Sequence, residues 1–299
     1  MTARVPVGLR SYLFAPGNHP RRVEKVFTAG ADAVILDLED AVAPTEKAAA
    51  RPLVVAAMRR PRGPRGYVRI NGVESPYWQD DLDAVVGPWL DGVVLPKAES
   101  EAQVREFVAR LAACERKAGL AAGALDVMLI VETARGVVGI DAIAAASARI
   151  GRIALGGGDY TNDLDLEWTA EEEALGYARA RLAHASRAAG LEPPVDTVVI
   201  EVRDQARFRQ SARNGRRFGF LGKLCIHPDQ VVPCHEVFTP GAAEVARARA
   251  IVTAFAQAEA RGMAAIQVDG VFVDYPVVHK ARRILALAER AGRAVSDGA

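Results

Sequence analysis

Cysteine is scarce in this chain of 299 residues, in which Cys114, Cys225 and Cys234 are the only three. Their spacing matches no thiolate metal site, and an odd number of thiols cannot pair completely within one chain, so we expect reduced cysteines. Cys225 lies in an apolar stretch, which favours a small buried side chain over a catalytic nucleophile.

An excess of charge and long apolar runs are also lacking. The 38 Lys and Arg residues nearly balance the 37 Asp and Glu residues, which leaves a formal net charge of +1. Duplex recognition depends on a concentrated basic surface, so this balance argues against a nucleic-acid partner. No apolar run is long enough to span a membrane, and the first residues lack the apolar core of a signal peptide. We expect a cytoplasmic protein whose partners are small molecules.

What the chain does contain is a regular alternation of short β-rich runs with helical stretches. The eight β-rich runs are 11–14, 33–38, 66–70, 92–96, 127–131, 152–155, 197–200 and 219–226. Segments with a 3.6-residue apolar period separate them, so each strand is followed by a crossover helix and the sheet is parallel. This pattern predicts an α/β fold, a (β/α)₈ TIM barrel over residues 1–238. An open doubly wound sheet is the alternative, but no G-x-G-x-x-G follows the first strand.

The pattern changes after the eighth strand. A helix is predicted from Pro240-Gly241 to Arg261, followed by a hairpin over 265–276 with Asp269-Gly270 at its turn and a final helix to about Gly292. Residues 239–299 therefore form a C-terminal helix–hairpin–helix extension. We expect it to act as a lid over its own barrel or as an arm that reaches a neighbouring subunit.

Two acidic residues stand where predicted strands end. Glu132 closes the run Leu129-Ile-Val-Glu132, and Asp159 follows Ala154-Leu-Gly-Gly-Gly158. In an α/β barrel, the C-terminal ends of the strands carry the chemistry. Oxygen ligands of this kind suit Mg²⁺, which usually takes one or two carboxylates. Glu132 and Asp159 are therefore the predicted ligands of Mg²⁺, with Mn²⁺ as the other metal that fits.

Further charged residues are predicted at the same rim. Arg69 ends the third strand, and its guanidinium is suited either to binding an oxyanion or to forming a salt bridge with a neighbouring acid. Glu39 and Asp40 follow the second strand, where they are suited either to holding metal-bound water or to capping a helix and forming a salt bridge with Lys97 or an arginine. Lys97 ends the fourth strand, and a structural ion pair is a better explanation for it than a Schiff-base nucleophile.

The segment after the first strand has the features of an anion site. Pro20 can open a helix whose first amides, joined by the side chains of Arg21, Arg22 and Lys25, would bind phosphate groups. Asn18 lies just before this helix. Basic residues at a helix N-terminus oppose the macrodipole, which favours a binding role over an ordinary solvated first turn.

Taken together, these motifs resemble the HpcH/HpaI aldolase and citrate lyase β-subunit family, and more narrowly its citrate lyase β-like branch, which includes malyl-CoA and citramalyl-CoA lyases. The resemblance covers nearly the whole chain and keeps the order of the motifs. They are Arg10-Ser-Tyr-Leu-Phe-Ala-Pro-Gly17, Ile35-Leu-Asp-Leu-Glu-Asp-Ala-Val42, Tyr67-Val-Arg-Ile-Asn71, Leu95-Pro-Lys97, Val131-Glu-Thr-Ala-Arg-Gly136, Gly156-Gly-Gly-Asp159, Gly222-Lys-Leu-Cys-Ile-His-Pro-Asp-Gln230 and Val268-Asp-Gly-Val-Phe-Val-Asp-Tyr-Pro276.

The resemblance implies a trimer-forming TIM barrel that uses Mg²⁺ to make or break a carbon–carbon bond in a coenzyme A thioester. It implies that Arg69 stabilises the enolate or binds substrate, and that the segment around Arg21 binds the nucleotide. It also implies an acid/base role for Asp274, delivered from a neighbouring subunit, although an Asp before a helix also commonly serves as its N-cap.

Three functions remain open from the sequence. The first is a lyase or synthase acting on malyl-CoA, citramalyl-CoA or a related 3-hydroxyacyl-CoA. The second is a thioesterase in which the same metal site directs water at the thioester. The third is a β subunit that works in a larger complex on a thioester carried by an acyl carrier protein. The basic helix start and Asp274 favour the first.

Overall fold

The computed structural model describes residues 8–296, which divide between His235 and Glu236 into two compact units. Within the described residues, eight parallel strands close into a barrel in the order of the sequence, with β1 pairing both β2 and β8. The strands are β1 (Ser11–Pro16), β2 (Ala33–Asp37), β3 (Arg65–Arg69), β4 (Gly92–Leu95), β5 (Asp126–Val131), β6 (Ile150–Leu155), β7 (Val195–Asp196) and β8 (Gly222–Cys225). The predicted (β/α)₈ barrel is confirmed.

At least one helix follows each strand of the barrel. The helices of the first unit are α1 (Pro20–Val26), α2 (Lys47–Met58), α3 (Trp78–Val85), α4 (Glu101–Lys117), α5 (Ala134–Val138), α6 (Ile140–Ala145), α7 (Gly157–Asp163), α8 (Gly176–Ala188), α9 (Gln205–Arg217) and α10 (Val231–Phe238), whose last three residues belong to the second unit. Polar side chains fix several starts: Ser100 caps α4, Thr133 caps α5 and Asp204 caps α9, each accepting a backbone N–H.

One apolar cluster fills the barrel interior and draws residues from every strand. Its buried members are Tyr12, Ala33, Ile35, Tyr67, Val94, Met128, Ile130, Ala154, Val195 and Leu224. Successive strand residues point to opposite faces, so residues two positions further along the same strands lie on the same side, nearer the C-terminal rim. The side chains at 37, 69 and 132 come two positions after Ile35, Tyr67 and Ile130 of the cluster, so they lie at the mouth of the barrel.

The seventh strand differs from its prediction. It occupies Val195–Asp196 rather than 197–200, pairing Val195 with Ala154 of β6 and Gly222 of β8. The apolar run that suggested a strand ends at Ile200, which is 60% exposed. A run of apolar residues indicates that a segment is partly buried. It does not specify which residues of the segment form hydrogen bonds with the neighbouring strands.

The second unit consists of a helix, a hairpin and a helix, as predicted for the extension. Its elements are α11 (Ala242–Glu259), β9 (Ile266–Val268), β10 (Val271–Val273) and α12 (Tyr275–Ser296). Asp269 and Gly270 connect the two antiparallel strands with φ angles of 49° and 76°, the left-handed conformations of a tight hairpin turn. Phe255, Val273 and Val278 are buried together in the core of this unit.

None of the helices in the described range is long and apolar enough to cross a membrane.

Candidate active site

A cavity of about 370 Å³ opens at the C-terminal ends of the barrel strands. Its floor is apolar and comes from the barrel cluster, whereas its charged side chains come from the residues that end or follow β1, β2, β3, β5 and β6. The lining includes Phe14, Arg22, Asp37, Asp40, Arg69, Ile130, Glu132, Gly156, Gly157, Gly158, Asp159, Thr197 and Leu224. An apolar chamber with a few convergent charges is the usual form of a small-molecule site.

Glu132 follows β5 and is almost completely buried, with 2% of its surface exposed. Its Oε1 atom accepts a hydrogen bond of 2.8 Å from the backbone N–H of Lys97. Burial raises the pKa of Glu132 to about 8, and although the positive charge of Arg69 opposes this rise, the negative charges of Asp159 and Glu39 add to it. The site therefore holds a carboxyl group whose ionised form needs a nearby positive charge.

Asp159 lies in the first turn of α7, directly after three glycines, and its side chain is exposed. The first of these glycines allows the close approach of the turn to Glu132. A Cβ atom at Gly156 would lie 2.3 Å from Oε2 of Glu132, a contact that no side chain can make. The backbone N–H of Gly156 donates to the carbonyl of Val131 at 3.0 Å, which ties the turn to the end of β5.

These two carboxylates fit a divalent metal. They belong to one cavity and repel each other strongly enough for Asp159 to raise the pKa of Glu132. A cation bound by both would remove that repulsion, and two carboxylates are a protein ligand set that Mg²⁺ commonly takes. Among residues 8–296, no group of three or more His, Cys, Asp and Glu residues is arranged to hold a metal ion.

Arg69 ends β3 with its guanidinium held by two acids. Its Nε and Nη2 atoms donate to the two carboxylate oxygens of Asp37, each at 2.7 Å, and Nη1 lies 3.0 Å from Oε2 of Glu39. The guanidinium also lies over the ring of Phe14, 5.0 Å from the centroid. Burial alone would lower the pKa of Arg69, but Asp37 and Glu39 raise it above the ordinary value, so the group stays charged.

Asp37 is the residue of this site to which the sequence analysis gave no role. Its carboxylate accepts the backbone N–H groups of Glu39 and Ala41 in addition to the two bonds from Arg69. Burial alone would raise the pKa of Asp37, but Arg69 and these backbone bonds lower it below the ordinary value. The only sequence signal was the group of acidic residues at the end of β2, and the sequence does not show which of them faces Arg69.

Glu39 and Asp40 meet at the amino group of Lys97. The Nζ atom of Lys97 lies 2.5 Å from Oε1 of Glu39 and 3.2 Å from Oδ2 of Asp40. Burial would lower the pKa of Lys97, but the two carboxylates raise it above its ordinary value. An amine that stays protonated is not a nucleophile, so the structure favours the ion pair over the Schiff base.

A second lysine, Lys47, holds the backbone of the loop that carries Glu39. Nothing in the sequence indicated this role. Lys47 is buried, and its Nζ donates to the backbone carbonyls of Leu38 at 3.0 Å and Glu39 at 2.8 Å. The amide of Asn71 also donates to the Leu38 carbonyl, at 2.9 Å. A lysine in the first turn of a helix gives no sequence signal that distinguishes this buried contact from a solvated surface charge.

The residues predicted to bind the nucleotide begin at the rim of the same cavity. Helix α1 starts at Pro20, as predicted, and Arg22 lines the cavity, whereas Arg21 and Lys25 are exposed on the helix surface. Asn18 precedes the helix, and its amide donates to Glu46 at 2.6 Å. The Oδ1 atom of Asn18 is buried without a hydrogen-bond partner among the described residues.

Asp274 lies in the second unit, immediately before α12. Its Oδ1 atom accepts the backbone N–H of Val277 at 3.4 Å, and its carbonyl accepts that of Val278 at 3.0 Å. The residue therefore caps the helix, as the simpler interpretation of its position predicted. Its carboxylate is partly exposed, so the residue can cap the helix and still be reached by another molecule.

The barrel and its charged rim define the class of α/β-barrel enzymes whose chemistry lies at the C-terminal ends of the strands. The chain belongs to the HpcH/HpaI aldolase/citrate lyase family, whose profile matches residues 10–228. This confirms the family predicted from the sequence motifs.

Similarity to individual proteins extends over most of the chain. It is 40% identical over 287 residues to the citrate lyase subunit beta-like protein of Deinococcus radiodurans, covering 94% of this chain and 98% of that protein. It is 34% identical over 302 aligned positions to the L-malyl-CoA/beta-methylmalyl-CoA lyase of Cereibacter sphaeroides, with 94% of each covered. A solved structure of CitE from Mycobacterium tuberculosis with magnesium, acetoacetate and coenzyme A has a TM-score of 0.77 at 31% identity, covering 94% of this chain and 98% of that one.

Proposed function

We propose that this protein is a Mg²⁺-dependent carbon–carbon lyase that cleaves a 3-hydroxyacyl-CoA, such as malyl-CoA or citramalyl-CoA, into acetyl-CoA and a 2-keto acid. The observation that carries the proposal is a single cavity that contains both the Glu132–Asp159 carboxylate pair and the guanidinium of Arg69. The names of the relatives support it, because one is an L-malyl-CoA/beta-methylmalyl-CoA lyase and a solved relative contains magnesium and coenzyme A.

Glu132 and Asp159 would hold the metal, Mg²⁺ or Mn²⁺. When bound, the metal supplies a Lewis acid that lowers the pKa of a substrate hydroxyl and neutralises a substrate carboxylate. Because burial raises the pKa of Glu132 to about 8, a bound cation would favour its ionised form. Glu39 and Asp40 would accept hydrogen bonds from the water molecules that complete the coordination sphere.

Arg69 would stabilise the charge that develops on the thioester. When the Cα–Cβ bond breaks, its electron pair moves onto the thioester carbonyl and forms an enolate, whose oxygen needs fixed donors. A guanidinium has five N–H groups. Asp37 accepts two of them and Glu39 faces a third, which leaves two for the substrate. Because Asp37 fixes the guanidinium plane, these two donors are oriented before the substrate binds.

Asp274 would act as the acid/base group. In the cleavage direction a base removes the proton of the 3-hydroxyl group, the carbonyl of the keto acid forms, and the enolate of acetyl-CoA is then protonated at carbon. A carboxylate can accept the first proton, and the carboxylic acid that results can donate a proton to the enolate carbon. We propose that Asp274 reaches the active site of a neighbouring subunit, in a homo-oligomer that is a trimer or a dimer of trimers.

The start of α1 would bind coenzyme A, which is part of the substrate. Arg22 lines the cavity, and Arg21 and Lys25 place two further exposed cations on the same helix. These charges suit the phosphate groups of the nucleotide. The buried Oδ1 of Asn18 provides an acceptor beside them. We also propose that the protein acts in the cytoplasm.

A product assay tests this function. Purified protein is incubated with Mg²⁺ and one thioester: malyl-CoA, citramalyl-CoA, citryl-CoA or a citryl group carried by an acyl carrier protein. The 2-keto acid and the free thiol are measured separately. A lyase releases keto acid without free thiol. Release of free thiol without keto acid would identify a thioesterase. Turnover only of a thioester carried by an acyl carrier protein would identify a subunit of a larger complex.

A further inference from the structure

Thr197 is a buried polar residue at the cavity for which the proposed mechanism has no role. It follows β7 directly, lines the cavity and has 0% of its surface exposed. Val195, two residues earlier, belongs to the apolar cluster inside the barrel. Alternation along the strand therefore directs the side chain of Thr197 towards the barrel mouth.

The oxygen of Thr197 is held in one position. Its Oγ1 atom accepts a hydrogen bond of 2.7 Å from the backbone N–H of Gly157. The two residues are in tight contact, because a Cβ atom at Gly157 would lie 2.7 Å from Oγ1. A hydroxyl that accepts a fixed N–H bond can still donate its own proton in another direction.

No acceptor for that proton is found in the part of the chain that the structure describes. The hydrogen bond of Thr197 to Gly157 uses the oxygen as acceptor, and no bond has Thr197 Oγ1 as donor. The bond from Gly157 satisfies the oxygen only as an acceptor, so the hydroxyl keeps a proton that it can donate to a second partner. Because Thr197 lines the cavity, a molecule bound there can supply that acceptor.

We propose that the hydroxyl of Thr197 donates a hydrogen bond to an oxygen of the organic acid that binds in the cavity, so that Thr197 helps to select the keto-acid half of the substrate. This inference rests on the proposed function, because it takes the ligand to be a carboxylate-bearing 2-keto acid. The same cavity contains Glu132, Asp159 and Arg69, the charged groups proposed to act on that substrate.

The test compares two substitutions at this position. Thr197→Val has nearly the same shape but no hydroxyl, whereas Thr197→Ser keeps the hydroxyl and is the matched control. Calorimetry measures the dissociation constant of pyruvate at saturating Mg²⁺ and, separately, that of Mg²⁺ without pyruvate. We expect Thr197→Val to weaken pyruvate binding about 10- to 100-fold, the usual effect of losing a hydrogen bond to a charged group. Thr197→Ser should stay within about threefold of the parent protein.

The Mg²⁺ titration separates ligand binding from support of the turn at Gly157. A loss of pyruvate affinity in Thr197→Val that clearly exceeds any loss of Mg²⁺ affinity supports the inference. Unchanged pyruvate affinity, or a loss that only matches the loss of Mg²⁺ affinity, overturns it and leaves the proposed function intact. If the parent protein binds no pyruvate, glyoxylate or oxaloacetate in the presence of Mg²⁺, the proposed function fails, and this inference fails with it.

Discussion

Asp37 holds Arg69 through two parallel hydrogen bonds of 2.7 Å, one to each carboxylate oxygen. The two residues end neighbouring strands and are paired in the barrel register, so the sheet itself brings them together. This bidentate geometry fixes the plane of the guanidinium as well as its position. The arginine can therefore present its remaining N–H groups to a developing oxyanion without first reorganising.

We predict that Asp37→Asn and Arg69→Lys lower kcat to a similar extent. The asparagine amide would face the guanidinium with a second set of donors, and lysine cannot form the bidentate pair, so both changes misplace the oxyanion donors. Loss of one such donor costs about 10²–10³-fold in kcat. Steady-state kinetics of the single and double variants provide the measurement, with affinity for free coenzyme A as the control. Additive losses in the double variant would show that the two residues act independently.

The ion pairs of Lys97 predict that no covalent intermediate forms on this residue. Because Glu39 and Asp40 keep the amine protonated, borohydride reduction in the presence of pyruvate should leave the mass of the protein unchanged. Intact-protein and peptide mass spectrometry give the readout, and an aldolase with a known Schiff-base lysine serves as the positive control. An adduct on Lys97 would establish the metal-independent mechanism.

Stability should fall in acid through Asp196, which lies in a buried cluster away from the cavity. Its carboxylate accepts hydrogen bonds from Arg179 at 2.9 Å and from Lys223 at 2.9 Å. Burial alone would raise the pKa of Asp196, but these cations lower it below its ordinary value. The stabilisation is therefore present at pH values above about 4, the unfolded pKa, and is lost as the pH falls through the lower folded pKa.

Asp196→Asn should accordingly lower the free energy of unfolding at neutral pH by about 3–5 kcal/mol, since it removes the carboxylate that pairs with both buried cations and leaves Arg179 with Glu172 alone. The loss of stability with falling pH should also become shallower. Urea unfolding between pH 3 and pH 7 measures both effects. Glu101→Gln, which removes an exposed ion pair with Arg105, is the control and should change stability by less than about 1 kcal/mol. Equal effects of the two substitutions would contradict the role given to the buried cluster.

Subunit complementation tests the proposed role of Asp274. If this residue enters a neighbouring barrel, mixing Asp274→Asn with Arg69→Ala under conditions of subunit exchange should restore activity, because some sites in mixed oligomers then carry neither lesion. Each variant alone should be nearly inactive. Exchange is verified by mass spectrometry of mixed oligomers. If exchange occurs and activity does not return, Asp274 acts within its own chain or only caps α12.

Much of the barrel was predictable because each buried strand leaves an apolar run of its own in the sequence. The seventh strand was the exception. Val195 follows two prolines, which usually indicate a loop, whereas the later run that ends at Ile200 has the composition of a strand. The ladder forms at Val195 because its neighbours Ala154 and Gly222 are positioned there. That information lies in the tertiary structure and not in the local sequence.

The candidate site was also predictable only in part, where the local sequence carries the signal. Glu132 and Asp159 were recognisable because an acid at the end of an apolar strand is unusual. The pairing of Asp37 with Arg69 joins residues 32 positions apart, and the hydroxyl of Thr197 meets a backbone N–H 40 positions away. Lys47 was not recognised, because a lysine that binds backbone carbonyls has the same local sequence as one exposed to solvent. Contacts of this kind depend on how neighbouring strands are aligned.

The central claim is that Glu132 and Asp159 together bind the metal of this enzyme, and a calorimetric Mg²⁺ titration tests it most directly. The parent protein, Glu132→Gln and Asp159→Asn are compared, with Glu101→Gln as a control for loss of a surface carboxylate and circular dichroism as a check on folding. We predict that the parent and Glu101→Gln bind Mg²⁺ alike, whereas each site variant binds it at least about tenfold more weakly, as expected when a charged ligand is lost. Unchanged Mg²⁺ affinity in both site variants would contradict the account.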